Sequence, residues 1–149
     1  MKINIEVNNE TQEVILDDFF LKIAEKTFAE VNWKFLEESS VLISLAIVSP
    51  TEIQRLNKEY RQVDSATDVL SFAEHKKINA NIAAAEMELN GEIFLGELIL
   101  CYDDISEYAK KEGIEFPVEL ANVFSHGILH LLGFEHGEEM FAIQNKVKK

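Results

Sequence analysis

His126, His130 and His136 are three of the four histidines in a chain of 149 residues, and they share one short stretch: His126-Gly127-Ile128-Leu129-His130-Leu131-Leu132-Gly133-Phe134-Glu135-His136. No other segment constrains the fold as much. On a helix, His126 and His130 lie one turn apart on the same face, so their imidazoles converge on one point. Gly133 can take the left-handed conformation that ends such a helix, which turns the chain back and brings His136 round as a third ligand. Three neutral imidazoles suit Zn2+, and three protein ligands leave a fourth position open for water, as in catalytic rather than structural zinc sites. A closed structural site would need Cys101 or His75 as a fourth ligand, and their local spacing does not point to it.

The segments around this stretch read as a mixture of strands and helices. Lys2 to Val7 alternates Ile3, Ile5 and Val7 with polar residues, as a half-buried strand does. Phe20, Ile23, Ala24, Thr27, Phe28 and Val31 recur at helical spacing behind Asp17 and Asp18, whose charge suits a helix N-terminus. Val41–Val48 reads as a buried strand, and Ser49-Pro50-Thr51-Glu52 is a capping box opening a helix to about Tyr60. Thr67–Phe72 and Phe94–Cys101 read as further strands, and Asn90-Gly91 as a turn in a short hairpin of Met87, Leu89 and Ile93. Helices are expected over Asp103–Lys111, closed by Gly113, from Pro117 to Leu132, and over Glu138–Val147. The stretch from His75 to Asn90 is the least defined. Residues 1–149 hold no repeat, linker or low-complexity tract, so a single α+β domain is expected, with about four strands and about five helices.

Composition narrows the setting. Hydrophobic residues make up 47% and charged residues 28%, which excludes a disordered or fibrous chain. The lone Cys101 cannot form an internal disulfide, so a reducing compartment is expected. Val41–Val48, the longest mostly apolar run, is far short of the ~20 residues of a membrane span. The opening Met1-Lys2-Ile3-Asn4-Ile5-Glu6 breaks any apolar stretch too early for a signal peptide. A soluble cytoplasmic protein is expected. The net charge is −13, spread over both halves of the chain, which argues against a generic nucleic-acid coat protein. A nucleic-acid substrate would need a local cluster, a metal or a partner to hold it.

The residue after His126 also argues against a class. Zinc peptidases with the H-E-x-x-H signature use that glutamate as general base, and here the position is Gly127. Glu135, beside His136, is the nearest carboxylate in sequence, suited to orienting a ligand or moving a proton. A second constellation runs from Asn57 to Phe72, from a helix end through a polar loop into a strand. Arg61 lies at the mouth of that loop, where a planar fork of donors can hold a phosphate. Taken singly, Arg61 is an ordinary surface arginine, and Thr67, Asp68 and Ser71 are ordinary turn and strand-start residues.

Together these stretches resemble the YbeY family, the bacterial endoribonucleases of rRNA maturation. The resemblance rests on H-G-x-L-H-L-x-G-x-(D/E)-H at His126–His136, on N-x-x-Y-R-x-x-D-x-x-T-D-V-L-S-F at Asn57–Phe72, and on L-G-(D/E)-(I/L) at Leu95–Leu98. It implies a zincin-like α+β fold with His126, His130 and His136 binding one zinc ion in a cleft, and a functionally essential Arg61. It further implies metal-dependent cleavage of single-stranded RNA in small-subunit rRNA processing and ribosome quality control, with the ribosome or small-subunit proteins as partners and neither membrane nor DNA. Glu135 and Glu97 stand where the family usually has aspartate. Ser65 replaces a common lysine, and the segment from His136 to Met140 is shorter than usual.

On this reading Zn2+ lowers the pKa of a bound water towards ~7, and Arg61 stabilises charge on the phosphodiester. The residues leave open whether that water or the 2′-hydroxyl attacks. Two other readings fit the same residues: a ribosome-assembly factor that binds through its zinc cleft with little catalysis, and a zinc hydrolase of another substrate.

Overall fold

The apolar residues of Val41–Val48 become the middle of a mixed sheet. The computed structural model describes residues 1–16, 18–75, 78 and 87–148. Among these it has four strands, β1 (Lys2–Asn9), β2 (Ser40–Val48), β3 (Val69–Ala73) and β4 (Ile93–Cys101), in the spatial order β1-β2-β4-β3. β1 and β4 flank β2 in parallel, and β3 pairs antiparallel with β4 at the sheet edge. Five helices accompany them: α1 (Phe19–Val31), α2 (Pro50–Arg61), α3 (Tyr102–Glu112), α4 (Phe116–Leu131) and α5 (Glu138–Val147). This is the expected α+β arrangement.

The two faces of the sheet are covered unequally. Val41, Ile43, Leu45 and Ile47 of β2 point into the main core, where Phe20, Ala24 and Phe28 of α1, Phe124 and Ile128 of α4 and Met140 and Val147 of α5 meet them. On the other face α2 covers a small cluster through Ile53 and Leu56 against Val48, Leu70 and Ile99. A bulge in β4 matches the strand to both faces. The β2–β4 register shifts as Leu42 pairs with Phe94 but Ile43 pairs with Gly96. The extra residue switches the alternation, so that Ile93 and Leu95 and then Leu98 and Leu100 all face the main core. Gly96 (φ +138) permits the bulge, and a Cβ there would meet the Phe72 carbonyl oxygen of β3.

Local signals set the element ends. The Ser49 hydroxyl accepts from the Glu52 N–H at 3.2 Å, and Pro50 occupies the first turn of α2. Asn90 (φ 56) and Gly91 (φ 79) form the turn ahead of β4, with a single bridge between Leu89 and Glu92 in place of a longer hairpin. Asp17 lies outside the described residues, as does most of the stretch that the sequence left undefined. Among the described residues, no helix is long and apolar enough to cross a membrane.

Candidate metal centre

α4 begins with Pro117 in its first turn and runs through the centre of the molecule against β3 and β4. Its end has a defined geometry. The Phe134 N–H donates to the Leu129 carbonyl at 2.9 Å and the Gly133 N–H to the His130 carbonyl at 3.0 Å, with Gly133 at φ 91. This pair of bonds around a left-handed glycine is a Schellman motif, which satisfies the last carbonyls of the helix and reverses the chain. Phe134, just past the turn, packs against the core and stacks on Trp33 at 5.3 Å between ring centres. The reversed segment is thereby anchored, and His136 is carried back over the face that bears His126 and His130.

The three imidazoles converge. His126 Nε2 lies 2.9 Å from His130 Nε2 and 3.2 Å from His136 Nε2. Taking one nitrogen from each ring, the three lie within 4.8 Å of one another. Tetrahedral zinc with bonds of about 2.0–2.1 Å separates its nitrogen ligands by about 3.3 Å, so this triangle has the dimensions of a coordination face. The other ring nitrogens also have partners: His126 Nδ1 meets Gln144 Oε1 at 3.3 Å, and His130 Nδ1 meets the Phe134 carbonyl at 3.2 Å. An Nδ1–H donating to each oxygen leaves the Nε2 lone pair free for a metal.

Electrostatics act in the same direction. Burial lowers the His126 pKa, with a smaller push from His136, against the raising effects of Gln144 and Asp68. Burial also lowers His130, followed by the charges of His126 and His136, against its bond to the Phe134 carbonyl. Both rings are held neutral, the form a metal requires.

Cys101 is fully buried in the cluster under α2, and His75 is half-buried beyond β3. Neither joins the histidines, which form a group of three among the described residues.

A cavity of about 360 Å³ opens beside His126, lined by Asp68, Val69, Tyr108, Glu119, Asn122 and Val123. Asp68 and Val69 bring the start of β3 to this cavity. Further along the strand, Arg61 at the end of α2 donates from Nη2 to the Ser71 carbonyl and lies over the Phe72 ring. Glu135 is exposed and lines a separate cavity with Trp33, Leu132, Gly133 and Phe134. Ser65 gives its carbonyl to Asn57 Nδ2 at 3.0 Å, which closes the loop after α2. Glu97 lies on β4 with its side chain in a surface depression beside Tyr60 and Phe72.

Glu119, Asn122 and Gln144, which approach the histidines from α4 and α5, had not been singled out from the sequence. A signal was there: Gln144 interrupts the apolar stripe Met140, Ile143, Val147, and it is buried like its neighbours.

A mixed sheet with an antiparallel edge strand, beside a helix whose two histidines meet a third beyond a glycine turn, defines an α+β protein with a three-histidine site able to hold a metal ion. The chain belongs to the family described as Endoribonuclease YbeY, whose family model matches residues 4–148. Among its relatives, the Endoribonuclease YbeY of Caldicellulosiruptor bescii is 35% identical over 133 residues, covering 89% of this chain and 84% of the relative. That of Staphylococcus saprophyticus is 36% identical over 140 residues, covering 90% and 87%. The solution structure of TM1509 from Thermotoga maritima superposes with a TM-score of 0.61 at 28% identity, covering 97% of this chain and 86% of that one.

Proposed function

We propose that this chain, acting as one domain over residues 1–149, is a zinc-dependent, single-strand-specific endoribonuclease of small-subunit rRNA maturation and ribosome quality control. In this reading His126, His130 and His136 hold the metal, and Arg61 meets the phosphodiester. The observation that carries it is the convergence of the three Nε2 atoms, at 2.9 and 3.2 Å, on one point at the edge of an open cavity. Membership of a family of endoribonucleases supports RNA as the substrate. The metal, when bound, supplies Lewis acidity at a phosphoryl oxygen and an acidified water.

The chain's own residues supply the rest. Nδ1 contacts hold two ligand rings in place. The Arg61 guanidinium spends one donor on Ser71 and keeps others for an anion, so it can stabilise the charge that grows on the phosphodiester. Glu135, exposed next to His136, is the carboxylate that would orient a ligand or move a proton in this reading. The charge of −13 weakens binding of free RNA, which favours a substrate presented by the ribosome in the cytoplasm.

Cleavage of single-stranded and duplex RNA by wild type, His126→Ala and Arg61→Ala, prepared side by side, tests the proposal. Wild type is expected to cut single strands, to lose activity with a chelator and to regain it with zinc. Equal cleavage by all three would mean contaminating ribonuclease and would overturn the reading.

A further inference from the structure

Buried polar side chains on a packed helix face need a reason, and α4 and α5 carry two, Glu119 and Gln144, that the half-buried Asn122 joins in series. Glu119 and Gln144 are 6% and 7% exposed. Asn122 Nδ2 donates to Glu119 Oε1 at 3.3 Å, Gln144 Nε2 donates to Asn122 Oδ1 at 3.2 Å, and Gln144 Oε1 faces His126 Nδ1 at 3.3 Å. Each amide therefore presents its nitrogen towards Glu119 and its oxygen towards His126.

The far end of the series gives it direction. A carboxylate only accepts, so Asn122 must turn its NH2 to Glu119 and its oxygen away. That oxygen in turn requires the NH2 of Gln144, which leaves the Gln144 oxygen facing the imidazole. An oxygen there is satisfied only by Nδ1–H, and a neutral ring protonated on Nδ1 has its lone pair on Nε2. Reversing any one amide would set oxygen against oxygen or NH2 against NH2 at a part-buried link, an unfavourable arrangement. Glu119 sits in the first turn of α4, where the helix dipole favours its negative charge.

We propose that Glu119, Asn122 and Gln144 form a one-directional relay that fixes His126 in the Nδ1–H tautomer and so sets the site's affinity for its metal. The metal half of this rests on the ligand reading above; the tautomer half stands on the apoprotein alone. None of the three touches the point where the Nε2 atoms meet, so they are positioning residues. The relay also makes α5 part of the site, although α5 carries no ligand.

The test combines side-chain 15N NMR of the histidines in metal-free protein at pH 8 with zinc titration against a competing chromophoric chelator. Wild-type His126 is expected as the Nδ1–H tautomer, although free histidine favours Nε2–H. Gln144→Met keeps the volume and removes the acceptor; His126 is expected to move towards Nε2–H, and zinc affinity to fall about 10- to 100-fold. Gln144→Glu keeps an acceptor for Nδ1–H but loses the donor to Asn122, and is expected to restore the tautomer while abolishing its dependence on Glu119. Glu119→Met, two links away, is expected to move both in the same direction by less.

An Nε2–H tautomer on His126 in the wild type overturns the proposal without any variant. Wild-type tautomer and affinity in folded Gln144→Met, or no response to Glu119→Met, overturns it as well. A wild type that shows the Nδ1–H tautomer but does not bind zinc refutes the ligand reading and, with it, the affinity half of the relay.

Discussion

The Arg61 guanidinium donates to the carbonyl oxygen of Ser71 at 2.7 Å, tying the last residue of α2 to the open edge of β3. The ladder explains why that oxygen is available. Asp68 accepts from the Cys101 N–H, so alternate residues of β3 turn their backbone groups towards β4 and Ser71 turns its own outward. Arg61 covers an unpaired edge carbonyl and packs over Phe72 at 4.8 Å, which fixes its direction while most of its donors stay exposed.

Arg61→Ala and Arg61→Lys are both expected to fold, since the side chain is exposed. RNA cleavage is expected to fall by about 10²-fold or more in each, because a lysine cannot present a planar fork to a phosphate while holding Ser71. Full activity in Arg61→Lys, with zinc content equal to wild type, would remove the guanidinium geometry from the mechanism.

The pH dependence of the metal-free protein follows from the two buried rings. Burial lowers the folded-state pKa of His126 and His130 below 6.5, whereas the unfolded chain titrates near that value. As pH drops below about 6.5, the unfolded state therefore binds more protons than the folded state, and stability falls until the depressed folded values are passed. Above 6.5 the contribution is complete and flat. Melting temperatures of chelator-treated protein between pH 8 and 5 check this; no drop between 7 and 5.5 would contradict it.

His136 differs from the other two histidines of the site in being exposed. His136→Ala is expected to weaken zinc binding strongly while leaving the melting temperature of the metal-free protein within about 2 °C of wild type, in keeping with the small effect of most surface substitutions. Parallel calorimetry of the two metal-free proteins gives the comparison. A large loss of stability would show His136 to be a packing residue as well.

Gly127, beside His126, packs closely on the sheet: a Cβ there would lie 2.9 Å from Leu98 Cδ2 on β4, so the Leu98 side chain would have to shift. Gly127→Ala is expected to cost about 1–3 kcal/mol in denaturant unfolding, as overpacking does, and to lower zinc affinity by shifting α4 away from the sheet. Gly127→Glu would drive a carboxylate into the same buried contact and is expected not to fold. A Gly127→Ala variant as stable as wild type would show that Leu98 yields to the added methyl.

Much of this was legible in the sequence, and the physical reason is locality. Pro117, Gly133 and the apolar spacing between them specify a helix and its stop, and the meeting of His136 with His126 and His130 follows from one turn. Ser49-Pro50 and Gly113 mark helix ends with similar clarity. Pairing across distance was not legible. β1 alternates like a strand, but its residues do not name β2 as a parallel neighbour, nor β4 as the strand on the far side of β2. The bulge at Gly96 was hidden for the same reason, since it is defined only against β2. Gln144 and Glu119 read as surface polar residues until burial shows them facing inward.

The Schellman turn at Gly133 gives the site a mechanical meaning. With a metal held by His126, His130 and His136, the short loop between α4 and α5 becomes a clasp, locked from one side by coordination and from the other by the stacking of Phe134 on Trp33. Binding to the folded state alone adds stability that grows with free metal, ~2.7 kcal/mol at a hundred times the dissociation constant. Without a metal, that turn would be held by the stacking of Phe134 on Trp33 and by its backbone bonds alone, so the clasp would be fastened on one side only.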